Sequence, residues 1–183
     1  MPNKGLERPA SRNSIVYCVY EGKVLLRPCV SGMEFDRGIA TVVRAAEDIK
    51  SVIFPDTVRV ARNGAFEKGR ALESAVLNAQ LEALGECGSG ASERPHAVFG
   101  TTRIKQLLLP PALRVLGDGA FYQCRELQYV VIQERSALEK IGRYCFSESG
   151  IKTITVPKTL MTVGAGAFRN CENLRIVQVE DGC

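Results

Sequence analysis

The sequence holds one histidine, His96, beside Glu86, Cys87 and Glu93 in the stretch ECGSGASERPH (86–96). These are the residue types from which a Cys-His dyad or a metal site is assembled. Such chemistry requires groups held in fixed geometry by regular elements. A stretch so rich in Gly, Ser and charge reads instead as a surface loop. The expectation is therefore no catalytic residue, no metal site and no cofactor. The glycines of Gly117-Asp118-Gly119 and Gly164-Ala165-Gly166 are not phosphate loops either, because neither run continues into Lys-Ser/Thr.

Seven cysteines, at 18, 29, 87, 124, 145, 171 and 183, include no Cys-x-x-Cys pair, and the chain has no Asn-x-Ser/Thr sequon. An odd, unpatterned set of thiols points to a reduced, intracellular protein, cytoplasmic or organellar. Net charge is +4, spread evenly enough that no segment forms a basic stripe. Nucleic acid is accordingly not an expected partner. No apolar run approaches the ~18 residues of a membrane span, and the N-terminus shows no apolar core of a secretory signal.

What positions the remaining side chains is a repeat. Ile104 to Leu127 reads IKQLLLPPALRVLGDGAFYQCREL and returns at Ile151 to Leu174 as IKTITVPKTLMTVGAGAFRNCENL. A looser copy runs from Ile49 to Leu72. The first apolar position of each unit falls at Ile49, Leu72, Ile104, Leu127, Ile151 and Leu174, at intervals of 23, 32, 23, 24 and 23. Self-similarity at this period is the mark of a solenoid. Apolar residues at positions 1, 4 and 6 of each unit, with position 5 alternating, predict a short strand with one buried face. Pro55, Pro110 and Pro157 end the strand at position 7, since proline offers no N–H to a ladder. Gly64, Gly119 and Gly166 are expected at positive φ in the return turn. Phe66, Phe99, Phe121, Phe146 and Phe168 are expected to form a stacked column.

The pattern strand-Pro-x-x-L-x-x-I/L-G-x-x-A-F-x-x-C-x-x-L resembles the BspA-type leucine-rich repeat. The likeness is strongest over 104–179, moderate over 49–103, and absent before about residue 39. Gly69 and Ser149 stand at the usual Cys position, and Cys145 replaces the usual Ala. The resemblance implies a binding solenoid. It also implies the surface or secreted adhesin role common in that family, which would need a secretion route.

The expected fold is an α/β-type repeat solenoid, mostly β: one parallel sheet of about six short strands behind an N-terminal β-hairpin cap. Residues 1–13 read as a flexible leader and 14–183 as a single domain. Within it, 14–48 form the cap and a degenerate half-repeat, in which Ile39 and Val42 correspond to Leu138 and Ile141. Residues 49–183 form the repeats, with an insertion at 86–96. Cys124 and Cys171 share a repeat position two units apart, about 10 Å at ~4.8 Å per strand, beyond the ~7 Å Cα reach of a disulfide. Both, with Cys145, are expected in the core.

Positions 3 and 5 of each strand then face outward on the concave side. They place Ile53, Val76, Leu108 and Val131 in one column, with Gln106, Tyr129, Thr153 and Ile176 beside it. A contiguous exposed apolar surface usually marks a contact site. The last strand, ending at Val179, is expected to leave an open C-terminal end available to a partner. The function expected is a non-enzymatic protein-binding scaffold, an accessory subunit of a larger assembly, with the adhesin as alternative.

Overall fold

The structure, a computed structural model, describes residues 50–54, 56, 58–67, 69–87 and 97–180 in full. It also gives the backbone of four earlier strands, β1 (Tyr17–Tyr20), β2 (Lys23–Leu25), β3 (Met33–Asp36) and β4 (Ile39–Val42). The expected leader lies outside the described residues, as do most of the insertion and His96.

Each repeat contributes one front strand: β5 (Ser51–Ile53), β7 (Ser74–Val76), β9 (Gln106–Leu109), β11 (Tyr129–Ile132), β13 (Thr153–Val156) and β15 (Ile176–Val179). These six strands start at the third position of the six units. On β9 and β13 burial alternates as expected, with Leu107 and Leu109 inside and Gln106 and Leu108 outside, whereas β15 is exposed throughout. The fold is a parallel-strand solenoid of the leucine-rich repeat type, and no helix occurs among the described residues.

Two features go beyond a single parallel sheet. The return segments carry strands of their own: β6 (Val58–Ala61), β8 (Ala83–Leu84), β10 (Val115–Leu116), β12 (Lys140–Ile141) and β14 (Thr162–Val163). With β3 and β4 they form a second sheet in the order β14-β12-β10-β8-β6-β4-β3. The registers bring Val42, Ala61, Leu84, Leu116, Ile141 and Val163 into one line. Val42 thus stands where Ile141 stands a few turns later. The sequence motive for this back sheet is the alternation in segments such as Arg114-Val115-Leu116, too short to be recognised as a strand.

The front sheet, moreover, is two ladders, β2-β1-β5-β7 and β15-β13-β11-β9. The break falls between β7 and β9, in the one repeat that carries the insertion. There position 7 is Asn78 instead of proline. Its side-chain amide donates to Val58 O at 2.9 Å, and its Oδ1 accepts from Gln80 N at 2.8 Å. At the other end β1 pairs antiparallel with both β2 and β5, so a hairpin closes the first edge of the front sheet.

Between the sheets runs the aromatic column. Phe66–Phe99, Phe99–Phe121, Phe121–Phe146 and Phe146–Phe168 have ring centroids 4.9, 5.7, 5.2 and 5.5 Å apart with planes within 10°. That spacing is the strand pitch imposed on the rings. The backbone is stitched beside it, Phe66 N donating to Val98 O and Phe121 N to Cys145 O, both at 2.8 Å. Phe66 and Phe99 are adjacent in space although 33 residues apart in sequence, so the insertion leaves the stack unbroken.

The turns use left-handed backbone twice per unit. Gly64, Gly119 and Gly166 have φ of 79°, 65° and 68°, as expected. The second column, Thr101, Gln123, Glu148 and Asn170, at φ of 61°, 57°, 57° and 55°, has no glycine to announce it.

Candidate protein-binding face

On β9, β11 and β13 the odd positions face solvent while the even positions pack inward. Val76, Leu108, Tyr129, Val131 and Ile176 are between 49% and 57% exposed. Gln106 and Thr153 are exposed beside them, and Ile53 is half-buried. Registers place Leu108 directly beside Val131, and Tyr129 between Gln106 and Thr153. On β9 and β11 the residues named from the sequence therefore lie together. Ile53 and Val76 lie across the break in the front sheet.

One column of this face went unread in the sequence. Position 2, where the chain bends into each strand, holds Lys50, Glu73, Lys105, Gln128, Lys152 and Arg175. The four cations are exposed. Lys152 Nζ lies 5.5 Å from the Tyr129 ring centroid and donates to Gln128 Oε1 at 2.7 Å. The rim thus leans over the outward face. The signal was present in the repeat spacing, because Lys105 and Lys152 occupy equivalent positions of the two strongest repeats.

The other chemical candidates resolve into structure. Cys124 and Cys145 are fully buried, and Cys87 and Cys171 are partly so; all four are free. Burial pushes the Cys124 thiol up to about 12, and it raises those of Cys145, Cys171 and Cys87 as well. None is a poised thiolate. Cys124 Sγ instead donates to Phe99 O at 2.9 Å, sharing that carbonyl with the Thr102 hydroxyl at 2.8 Å. One turn pair later Cys171 Sγ donates to Phe146 O at 2.9 Å, with Ser149 Oγ 3.6 Å away. Thiols and hydroxyls alternate down one column because both are small donors that satisfy the carbonyl preceding the next turn.

The sign of the pH effect follows. Cys124 ionises near 9 when exposed and near 12 when folded. Its contribution is complete below pH 9 and is lost as pH rises toward 12. Stability should therefore fall with pH across that window, and the fall should be shallower in Cys124→Ser. Urea midpoints measured at several alkaline pH values check this, equal slopes in the two proteins being the contrary result.

Among the described residues no group of three or more His, Cys, Asp or Glu is placed to hold a metal. A cleft of about 380 Å³ is lined by Arg125, Glu148, Ser149, Gly150, Asn170, Glu172 and Asn173. Its Glu148 carboxylate already accepts from Tyr122 Oη at 3.3 Å and Gln123 Nε2 at 3.0 Å, and pairs with Arg125 at 3.6 Å.

A family model described as the BspA-type leucine-rich repeat region, in six copies, matches residues 92–183, half of the chain. The chain belongs to this family. No curated protein matches it. Among solved structures, the pneumococcal vaccine antigen PcpA is similar over 78% of this chain and 36% of its own, with a TM-score of 0.63 at 22% identity. A leucine-rich cell surface protein from Faecalibacterium prausnitzii is similar over 82% and 46%, with a TM-score of 0.50 at 15% identity. This BspA-type chain thus spans about a third to a half of these two structures, and at these identities the likeness shows the fold.

The thiol argument for an intracellular location depends on where those thiols sit. In a BspA-type repeat the Cys position is a core position. A thiol at 0% exposure, held on a backbone carbonyl, is shielded from oxidants in any compartment. The thiols of Cys124 and Cys145 therefore carry no information on location. No helix among the described residues is long and apolar enough to cross a membrane.

Proposed function

We propose that this chain is a non-enzymatic protein-binding module whose contact surface is the outward face of the front sheet. The observation that supports this reading is the Leu108–Val131 pair. These aliphatic side chains lie side by side, each about half exposed, on strands that could have carried polar residues at no cost to the core. Tyr129 adds an aromatic of the kind enriched in interface cores. The module serves as an accessory subunit of a larger assembly.

The test is Leu108→Arg with Val131→Arg. Both sites point away from the core, so the fold should persist, with an unfolding midpoint close to wild type. Two charges in the middle of an apolar contact should weaken binding of co-purifying proteins by a factor of a hundred or more, about 3 kcal/mol. Undiminished binding by the folded double variant removes the surface from consideration.

A second reading, a surface or secreted adhesin of the BspA type, draws support from the cell surface protein with the same fold. The shielded thiols are compatible with it. Fractionation of source cells distinguishes the two: a species migrating with a large intracellular assembly supports the subunit, and one labelled by a membrane-impermeant reagent supports the adhesin.

A further inference from the structure

We propose that the partner segment received by the front face is acidic, an extended polypeptide carrying carboxylates along one side and apolar side chains along the other. This rests on the front-face reading above and names the chemistry of its occupant.

The face is electrostatically one-sided. Along the entry rim, Lys50, Lys105, Lys152 and Arg175 are exposed at equivalent positions, interrupted only by Glu73 and Gln128. Lys50, Lys105 and Arg175 make no ion pair with any described residue, and Lys152 is held over Tyr129 and by Gln128 Oε1. The nearby acid Glu126 is already engaged by Arg103 at 2.9 Å. At the exit rim the corresponding positions are Asn78, Pro110, Gln133, Pro157 and Glu180, none of them a cation.

Three cations elsewhere on the surface are matched from turn to turn. Arg59 pairs with Glu82, Arg114 with Glu139, and Arg125 with Glu148. The entry rim differs in that its cations fall in one column, unmatched, where the apolar face begins. Unmatched like charges beside an exposed apolar strip fit a ligand that brings the opposite charge.

Spacing sets the ligand's direction. From Lys105 to Arg175 is three repeats, about 14 Å at ~4.8 Å per strand. An extended chain covers that in roughly four residues. A segment running along the stack could set carboxylates on the rim while its alternate side chains meet Leu108, Tyr129 and Val131.

The experiment pans a phage-displayed random dodecapeptide library on three folded forms of the full chain. These are the wild type, Leu108→Arg/Val131→Arg, and Lys105→Glu/Lys152→Glu/Arg175→Glu. The wild type is expected to enrich sequences with two or more Asp or Glu beside aliphatic or aromatic residues. A synthetic peptide of that kind should lose at least tenfold in affinity on the charge-reversed form and weaken with added salt. Peptides that lose binding to Leu108→Arg/Val131→Arg, yet lack acids and bind the charge-reversed form unchanged, would overturn the acidic partner while leaving the face intact. Peptides that bind all three forms equally would overturn the face itself. Failure of the wild type to enrich any sequence overturns a linear segment as the occupant.

Discussion

Gly142→Ala is expected to destabilise the protein by about 3–4 kcal/mol, more than most single substitutions achieve. The reason is contact between backbones. A Cβ on Gly142 would stand 2.5 Å from the carbonyl carbon of Gly117 and 2.6 Å from Asp118 N and Oδ1. Gly117 would meet Gly85 in the same way at 2.5 Å, and Gly164 would meet Gly142 at 2.6 Å. One glycine per turn therefore lets successive turns close on the back sheet. None of the three obstructing atoms can rotate away freely. Asp118 Oδ1 is fixed by accepting from Arg143 N at 2.8 Å, and Asp118 is itself buried. A methyl group must separate the turns locally, disturbing the Gly142 N to Leu116 O hydrogen bond at 2.7 Å.

The informative comparison is Gly64→Asn. Gly64 has φ of 79°, but the nearest atom to its Cβ is the flexible end of Glu67 at 3.4 Å. Asparagine tolerates the left-handed region, so this change should cost about 1 kcal/mol or less. Urea unfolding of the two variants decides the matter. A Gly142→Ala midpoint within experimental error of Gly64→Asn would mean that the turns are not held at the observed separation.

These two glycines also show where sequence reading stops. In Gly117-Asp118-Gly119 both glycines look like turn residues, and only the second has positive φ. The first is needed for proximity to a turn more than two dozen residues away, which no local pattern encodes. Much else was legible because it is periodic. The front strands, the phenylalanine column and the outward position of Leu108 and Val131 all follow from an interval of 23–24 residues and strand alternation. The left-handed backbone at Thr101 was not legible, since a β-branched residue is the least expected occupant. Nor was the split of the front sheet. At that split Asn78 turns its amide back to Val58 O, a contact across 20 residues that no local pattern announces. The basic rim was legible and missed: strand alternation directs attention to positions 3 and 5, whereas position 2 sits in the bend where alternation has not begun.

Phe121→Ala should cost about 3–5 kcal/mol, the range for deleting a buried aromatic, and should do so in a way that reports the architecture. Phe121 is 1% exposed and lies between Phe99 at 5.7 Å and Phe146 at 5.2 Å. Its removal leaves a cavity with a ring on either side, and both stacking contacts go. Phe168, in contrast, is only partly buried and has one stacked ring among the described residues, Phe146 at 5.5 Å. Phe168→Ala should therefore cost roughly half as much, on the same area and cavity reasoning. The position of the gap matters beyond its energy. In a stack where each turn contacts only its neighbours, stability is a sum of repeat and interface terms. A weak interface at Phe121 lies near the middle and can uncouple the two sides, so its unfolding should broaden, with a lower denaturant slope than wild type. Loss of Phe168 removes one stacking contact where Phe121 removes two, and should leave the slope nearly unchanged. If both variants shift the midpoint equally with equal slopes, the column is not acting as a continuous spine. Its rings would then be independent core residues that share a line only because the strand pitch puts them there.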